Sequence, residues 1–540
     1  MGQRREVDGC ESRLRRVAAL AALALCAFGA DVRAAGAKKG IDIVEAPVAA
    51  LQEAMSAGRT TSRALTAQYL ARIKAIDKAG PRINAVIEVN PDALAIAAAL
   101  DKERREKGPR GPLHGIPVLV KDNIATADRM QTTAGSLALA GVKPPRDAFL
   151  VAKLREAGAV ILGKTNLSEW ANIRSTRSTS GWSARGGLTR NPYALDRNTS
   201  GSSSGSAAAI AASLAAIAVG TETDGSITSP ASINNLVGLK PTVGLVSRAG
   251  VIPIAHSQDT AGPMARTVAD AAALLSAMAG SDARDDATRE ADAKAADYTK
   301  HLDANALKSA RLGVVRSQFA GRNDLVAAEV EKALEVLKAQ GAILVEIPEL
   351  PNMGKYSQTE LEVLLYELKA DLAAYLAEYA PGSAVKTLAD VIAFNEKNKT
   401  KEMPYFGQEH FVKAETKGGL DSKEYLDALA NNLKLSRAEG IDKVLTENKL
   451  DALVAPTGQP AWLTDFIKGD ASGGSFTSPA AVAGYPHITV PAGFVQGLPC
   501  GISFVGTAWS EPRLIALAYA FEQASRHRKA PTFPKTVNSW

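Results

Sequence analysis

Apolar residues recur along this chain in two rhythms, and the elements they predict alternate. Over Thr61–Asp77, Leu65, Tyr69, Leu70, Ile73 and Ile76 fall three or four apart, which predicts an amphipathic helix. Asn90-Pro91 opens a second helix, with Asn90 as its N-cap and Gly108 closing it. Short unbroken apolar runs predict buried strands at Val118–Val120, Ala159–Leu162, Leu450–Pro456, Ile488–Pro491 and Ile502–Val505. A helix over 147–158 leads into the second of these runs. Strand, helix and strand recur at 311–315, 327–340 and 342–347, and Leu514–Ser525 closes with a helix. The Gly/Pro-punctuated pieces 238–244 and 250–254 read as short strands between turns, and 281–310 as a polar surface excursion. From about 350 to 450 helical spacing dominates, a mostly helical insertion. The sum is an α/β fold, helices flanking a sheet.

One run is different in kind. Ala207–Val219 has Ser213 as its only polar position and joins two small-residue clusters, Ser200–Ser206 and Thr223–Ser226. A flexible linker is polar throughout, and a membrane span needs roughly 20 apolar residues. The run is therefore a buried helix feeding a buried strand, and the clusters become loop tips at its two ends. Glycine and serine there let backbone N–H groups approach a bound atom closely.

Composition narrows the classes. With 46% hydrophobic and 22% charged residues over 540 positions, the chain is ordinary globular material. A net charge of only +6 does not suggest nucleic acid as a partner. Arg13, Arg15 and Arg16 precede the apolar stretch 17–30, and Val32-Arg33-Ala34 supplies a small-residue cleavage site. Residues 1–34 thus read as a secretory signal peptide, the body of the protein as 35–540, and its destination as the periplasm or exterior, with no stable membrane partner after cleavage. Cys10 and Cys26 leave with the signal, so Cys500 remains alone and no internal disulfide is expected.

Three chemistries fail on context. The six histidines form no His-x-x-x-His pair and there is no cysteine pair, so no metal site is expected. Gly158-Ala-Val-Ile-Leu-Gly163-Lys164-Thr165 fits a phosphate loop letter by letter, but its middle residues favour a strand. Gly201-Ser-Ser203-Ser-Gly205 fits a nucleophile elbow around Ser203, but the preceding Asn191–Ser200 is turn-like where an elbow needs a strand. The remaining scheme uses Lys121, delivered by the short strand Gly115-Ile-Pro-Val-Leu-Val. A serine hydroxyl needs an adjacent base, and lysine serves if burial brings its pKa from about 10.4 towards neutrality.

Gly115-Ile-Pro-Val-Leu-Val-Lys121-Asp-Asn, Gly201-Ser-Ser-Ser-Gly-Ser206-Ala-Ala-Ala, Gly220-Thr-Glu-Thr-Asp-Gly-Ser226-Ile, Pro230-Ala and Gly238-Leu-Lys-Pro-Thr occur in this order. Together they resemble the amidase signature family, from about Leu113 to Pro531. The signal, Asn166-Leu-Ser-Glu-Trp-Ala-Asn and Thr221-Glu-Thr-Asp-Gly narrow the resemblance to bacterial peptide amidases. The resemblance implies a single large α/β domain with a mixed central β-sheet, no cofactor, and a small-molecule or peptide amide as substrate. It implies a Ser–Ser–Lys triad of Ser226 as nucleophile, Ser202 as bridge and Lys121 as base. The N–H groups of Thr223, Asp224 and Gly225 would form the oxyanion hole, and Asn172 would line the pocket. Thr228 stands where the family often has arginine, which weakens transfer of substrate preference. The expectation is an exported hydrolase of the C-terminal amide of peptides. The alternatives are a broad aryl/alkyl amidase or esterase, and an exported peptide-binding protein.

Overall fold

In the computed structural model, residues 41–319 and 323–537 are described. The signal-peptide reading lies outside them. Eleven strands form one mixed sheet: β1 (Val86–Val89), β2 (Pro117–Lys121), β3 (Val160–Thr165), β4 (Ile217–Glu222), β5 (Val237–Lys240), β6 (Thr260–Ala265), β7 (Arg311–Val315), β8 (Ile343–Ile347), β9 (Ala452–Pro456), β10 (His487–Val495) and β11 (Leu498–Val505). Their spatial order is β1-β3-β2-β4-β6-β5-β10-β11-β9-β7-β8. The parallel group β3-β2-β4 supports the site, with Val118 beside Ile217 and Val120 beside Val219. These strands are buried along their whole length. That explains why they read as unbroken apolar runs instead of an alternation.

The helices used below are α1 (Ser62–Arg72), α2 (Ala93–Lys107), α3 (Ser204–Ala211), α4 (Thr228–Ile233), α5 (Val268–Met278), α6 (Asp324–Ala339), α7 (Ser357–Tyr379), α8 (Lys423–Leu433) and α9 (Glu511–Ser525). The first predicted helix is α1 followed by a π-helical turn over Ile73–Asp77. The second starts later than expected. Its N-cap is Asp92, because the Asn90 side chain is drawn to Asp92 N (2.9 Å) and to Ile161 O of β3 (2.8 Å). Residues 250–254 are not a strand but a loop with one bridge, Val251 to Ile124. The strand in that region is β6, whose Thr-Ala-Gly-Pro-Met-Ala carries too few β-branched residues to announce itself. Between β8 and β9, residues 357–448 are helical apart from connecting turns. No helix among the described residues is long and apolar enough to cross a membrane.

The Ala207–Val219 run resolves as α3, a tight reversal with Ser213 at φ 55°, and β4. Ile210, Leu214, Ile217 and Val219 have no exposure, each worth about 1.5–3 kcal/mol of burial. The helix sits so close to the sheet edge that a Cβ at Gly205 would come 2.3 Å from Ala85 O and 2.4 Å from Asn166 O. Since α3 feeds β4 by reversing, the start of the helix returns to the strand's C-terminal end. Both small-residue clusters therefore arrive where β2 ends in Lys121, and such C-terminal strand ends are where open α/β sheets hold ligands.

Candidate active site

Lys121 is the last residue of β2 and has no exposure. Its Nζ lies 2.7 Å from Ser202 Oγ, 2.8 Å from Thr221 Oγ1 and 3.2 Å from Thr221 O. Thr221 Oγ1 also accepts from Asn123 Nδ2 at 3.0 Å. Burial pushes the amine down to about 7, against the opposing pull of Asp259 and then Glu222. A neutral amine has two hydrogens and one lone pair. The two Thr221 oxygens take the hydrogens, which leaves the lone pair for the Ser202 hydroxyl.

Ser202 is fully buried in the loop before α3. Ser226 lies in the turn between β4 and α4, 7% exposed, its hydroxyl in no hydrogen bond among the described residues. The two loops are tied by Ser203 N donating to Ser226 O at 3.1 Å. Ser203, the elbow candidate, is instead bound back to β4. Its hydroxyl donates to Thr221 O at 3.0 Å and accepts from Thr221 N at 3.2 Å. That position is a structural one.

The turn 223–226 is held on every side. Glu222 Oε2 accepts from Ile227 N (2.7 Å) and Thr228 N (2.9 Å), closing the start of α4 beneath Ser226. Asp259 Oδ1 accepts from the Thr223 hydroxyl at 2.5 Å, and its Oδ2 accepts from Ile254 N and Ala255 N. Burial pushes the Asp259 carboxyl up to about 6. Asp224 Oδ2 accepts from the Ser478 hydroxyl at 2.5 Å. Gly225 has φ 76°, where only glycine is unstrained. The N–H groups of Thr223, Asp224 and Gly225 donate to no other group among the described residues.

Beside the turn lies a cavity of about 220 Å³ lined by Gly201, Asp224 and Gly225 and by Trp462, Asp470 and Ser475. Asn172 lines it too, its Nδ2 3.4 Å from Ser180 Oγ and its Oδ1 without a partner among the described residues. Asp470 accepts from Ser180 N (3.1 Å) and Trp462 Nε1 (3.3 Å), fastening the 458–478 segment as a wall of the cavity. So the structure gathers Lys121, Ser202, Ser226, the 223–225 turn and Asn172 in one place.

Sequence reasoning missed Thr221, Glu222, Asp259, Asp470 and Trp462. Thr221 and Glu222 stood inside a quoted motif, and Gln258 and Asp259 lay in the polar run His256-Ser-Gln-Asp-Thr260 between apolar stretches, a signal left unused. The phosphate-loop lookalike is ordinary β3: Lys164 Nζ donates to Ile124 O and, at 2.8 Å, to Thr132 Oγ1. Among the described residues one group could hold a metal ion, His256, Glu367 and Asp371. There the imidazole already sits between the two carboxylates, with Nδ1 2.9 Å from Asp371 and Nε2 3.4 Å from Glu367.

Comparison with known proteins finds likeness along most of the chain. The model of the family described as Amidase matches residues 64–515. A probable amidase of Arabidopsis thaliana is 46% identical over 501 residues, 91% of this chain and 92% of the relative. The native peptide amidase of Stenotrophomonas maltophilia is 52% identical and superposes with a TM-score of 0.85 over 91% of this chain and 99% of that one. The peptide amidase PAM in complex with the competitive inhibitor chymostatin gives 0.86 at 52% identity, covering 90% and 99%.

Proposed function

The chain belongs to the amidase family and is a hydrolase of amide C–N bonds, and from that premise we propose that it releases ammonia from the C-terminal carboxamide of peptides through a Ser226–Ser202–Lys121 triad. The observation that carries the reading is Lys121 Nζ, fully buried, brought down to about 7, and 2.7 Å from Ser202 Oγ. A buried amine whose pKa lies near 7 is poised to act as a general base.

In this reading Lys121 draws the Ser202 proton as Ser202 takes that of Ser226, and Ser226 Oγ attacks the carboxamide carbon. The N–H groups of Thr223, Asp224 and Gly225 stabilise the oxyanion, an interaction worth about 10²–10³ per donor. As the C–N bond breaks, Ser202 returns a proton to the departing nitrogen, which leaves as ammonia. Water then attacks the acyl-serine, giving the free acid and restoring the triad. Asn172 belongs to the wall that receives the substrate. The peptide preference draws on the likeness to peptide amidases and on the polar cavity bordering the turn. Export to the periplasm or exterior draws on residues 1–34 alone, and N-terminal sequencing of the mature protein tests it.

The deciding experiment measures ammonia release from a panel of peptide amides beside ethyl esters and anilides of the same peptides. Peptide amides are expected to turn over fastest. Esters turning over while amides stay intact would overturn the peptide amidase reading in favour of the broad aryl/alkyl amidase or esterase.

A further inference from the structure

The turn that carries Ser226 is gripped from a distant part of the chain. Thr223 O accepts from Gln258 Nε2 at 3.3 Å, and the same nitrogen donates to Glu360 Oε1 of α7 at 3.1 Å. Gln258 is 2% exposed and Glu360 8%. A carbonyl oxygen can only accept, so the Gln258 amide has one orientation here and both its hydrogens are used.

The carbonyl of Thr223 and the N–H of Asp224 are opposite sides of one rigid trans peptide. Fixing the carbonyl towards Gln258 turns the N–H the other way, and Asp224 borders the cavity. A hydrogen bond accepted at the carbonyl also polarises the N–H of the same unit. Glu360 reaches this unit through Gln258. Burial, followed by the charge of Asp224, holds the Glu360 carboxyl well above its ordinary range. The neutral form that these effects favour accepts from Gln258 without repelling Asp224.

We infer that Gln258, braced by Glu360 of α7, is a positioning residue for catalysis: it fixes the 223–224 peptide plane so that Asp224 N–H points at the carbonyl oxygen under attack. This rests on the oxyanion role proposed above. It gives the helical segment a part in the reaction without contact with substrate.

The test uses the full chain with Gln258→Met, similar in length but without a donor. Four quantities are measured: kcat and KM on a peptide amide, affinity for the corresponding peptide aldehyde, and affinity for the peptide acid. The aldehyde forms a hemiacetal on Ser226 and loads the oxyanion position; the acid does not. The expected result is a kcat lower by about tenfold, short of the 10²–10³ for losing a donor outright. KM and acid affinity should stay within about twofold, and aldehyde affinity should fall in step with kcat. A lowered melting temperature with kcat and aldehyde affinity unchanged would reduce Gln258 to a structural amide and overturn the proposal.

If Gln258→Met does not fold, Glu360→Leu and Glu360→Gln replace it. Glutamine keeps an acceptor for Gln258 and should behave as wild type, whereas leucine should lose kcat and aldehyde affinity together. Equal behaviour of the two overturns the proposal. Wild-type protein that neither cleaves peptide amides nor binds the aldehyde would remove the oxyanion reading and this proposal with it. A wild-type response with a silent Gln258→Met removes only this one.

Discussion

Two neighbouring strands each carry a lysine of zero exposure, and the proposed triad uses only one of them. Lys121 on β2 stands beside Thr165 of β3, while Lys164 on β3 stands beside Val120. Paired residues share a face and successive residues alternate, so the two lysines project from opposite faces of the sheet. Thr165 shows which face is which: its hydroxyl is 2.7 Å from that of Ser206 on α3. Burial lowers both amines, to about 7 and about 8. What separates them is the acceptor. Lys121 meets the hydroxyl of Ser202, in a loop tied to that of Ser226 by Ser203 N and Ser226 O, whereas Lys164 meets the Ile124 carbonyl and the Thr132 hydroxyl, away from both serine loops. A lowered pKa marks a buried lysine; what the proposed triad adds is a partner able to take part in proton transfer.

The strongest break in this comparison is Ser226→Ala. It should lower kcat by about 10⁴ or more with the circular dichroism spectrum unchanged, since the Ser226 hydroxyl supports no hydrogen bond among the described residues. Wild-type turnover would end the triad. Next comes the lysine pair itself. Lys121→Met should cost about 10³ in kcat, whereas Lys164→Met should keep kcat within a few-fold and lose about 1–3 kcal/mol of stability from the acceptors it strands. Chemical denaturation and steady-state kinetics on both variants decide it. Equal kinetic losses would mean that burial, and not the Ser202 contact, is what matters.

The same contrast explains how much of the site could be read from the sequence. The chemical argument reached Lys121 and the two small-residue clusters, and the resemblance picked Ser202 and Ser226 out of them. The run Ala207–Val219 was legible because burial has only a few solutions for so apolar a segment. Asp259, Gln258 and Glu360 were not legible. Each is an ordinary polar residue locally and gains its role when α7 and the 252–259 loop pack against the turn, a contact between residues about a hundred positions apart. The register that puts Lys121 and Lys164 on opposite faces is likewise fixed only by strand pairing. Asn90 was misplaced as a cap for the same reason, its side chain being claimed by β3.

The comparison sharpens with pH. If neutral Lys121 is the base, kcat/KM should fall about tenfold per unit below an apparent pKa near 7, and changes to Lys164 should leave that limb in place. Stability should respond to both lysines. Their folded values, about 7 and about 8, lie below the ordinary 10.5. Between these values and 10.5 the unfolded chain binds more protons, so stability rises with pH across the window. Below the folded values both amines are charged in either state, and the contribution levels off at its least favourable. Replacing Lys164 should flatten the stability slope and spare the acid limb of activity. An acid limb that moves with Lys164 would contradict the assignment of Lys121.

The smallest expected effect separates the two serines that share one loop. Ser203 fits the elbow pattern by spelling, yet its hydroxyl is spent on both backbone groups of Thr221. Ser203→Ala should therefore cost about 1–2 kcal/mol of stability, through the buried Thr221 groups left unpaired, and reduce kcat by no more than a few-fold. Part of that loss should appear indirectly, because Thr221 O and Oγ1 also orient Lys121 Nζ. A slightly loosened Thr221 would shift the acid limb of the pH profile before it changed the plateau rate. A drop in kcat matching that of Ser226→Ala would instead restore Ser203 as the nucleophile, and with it the elbow that the fold of this loop argues against.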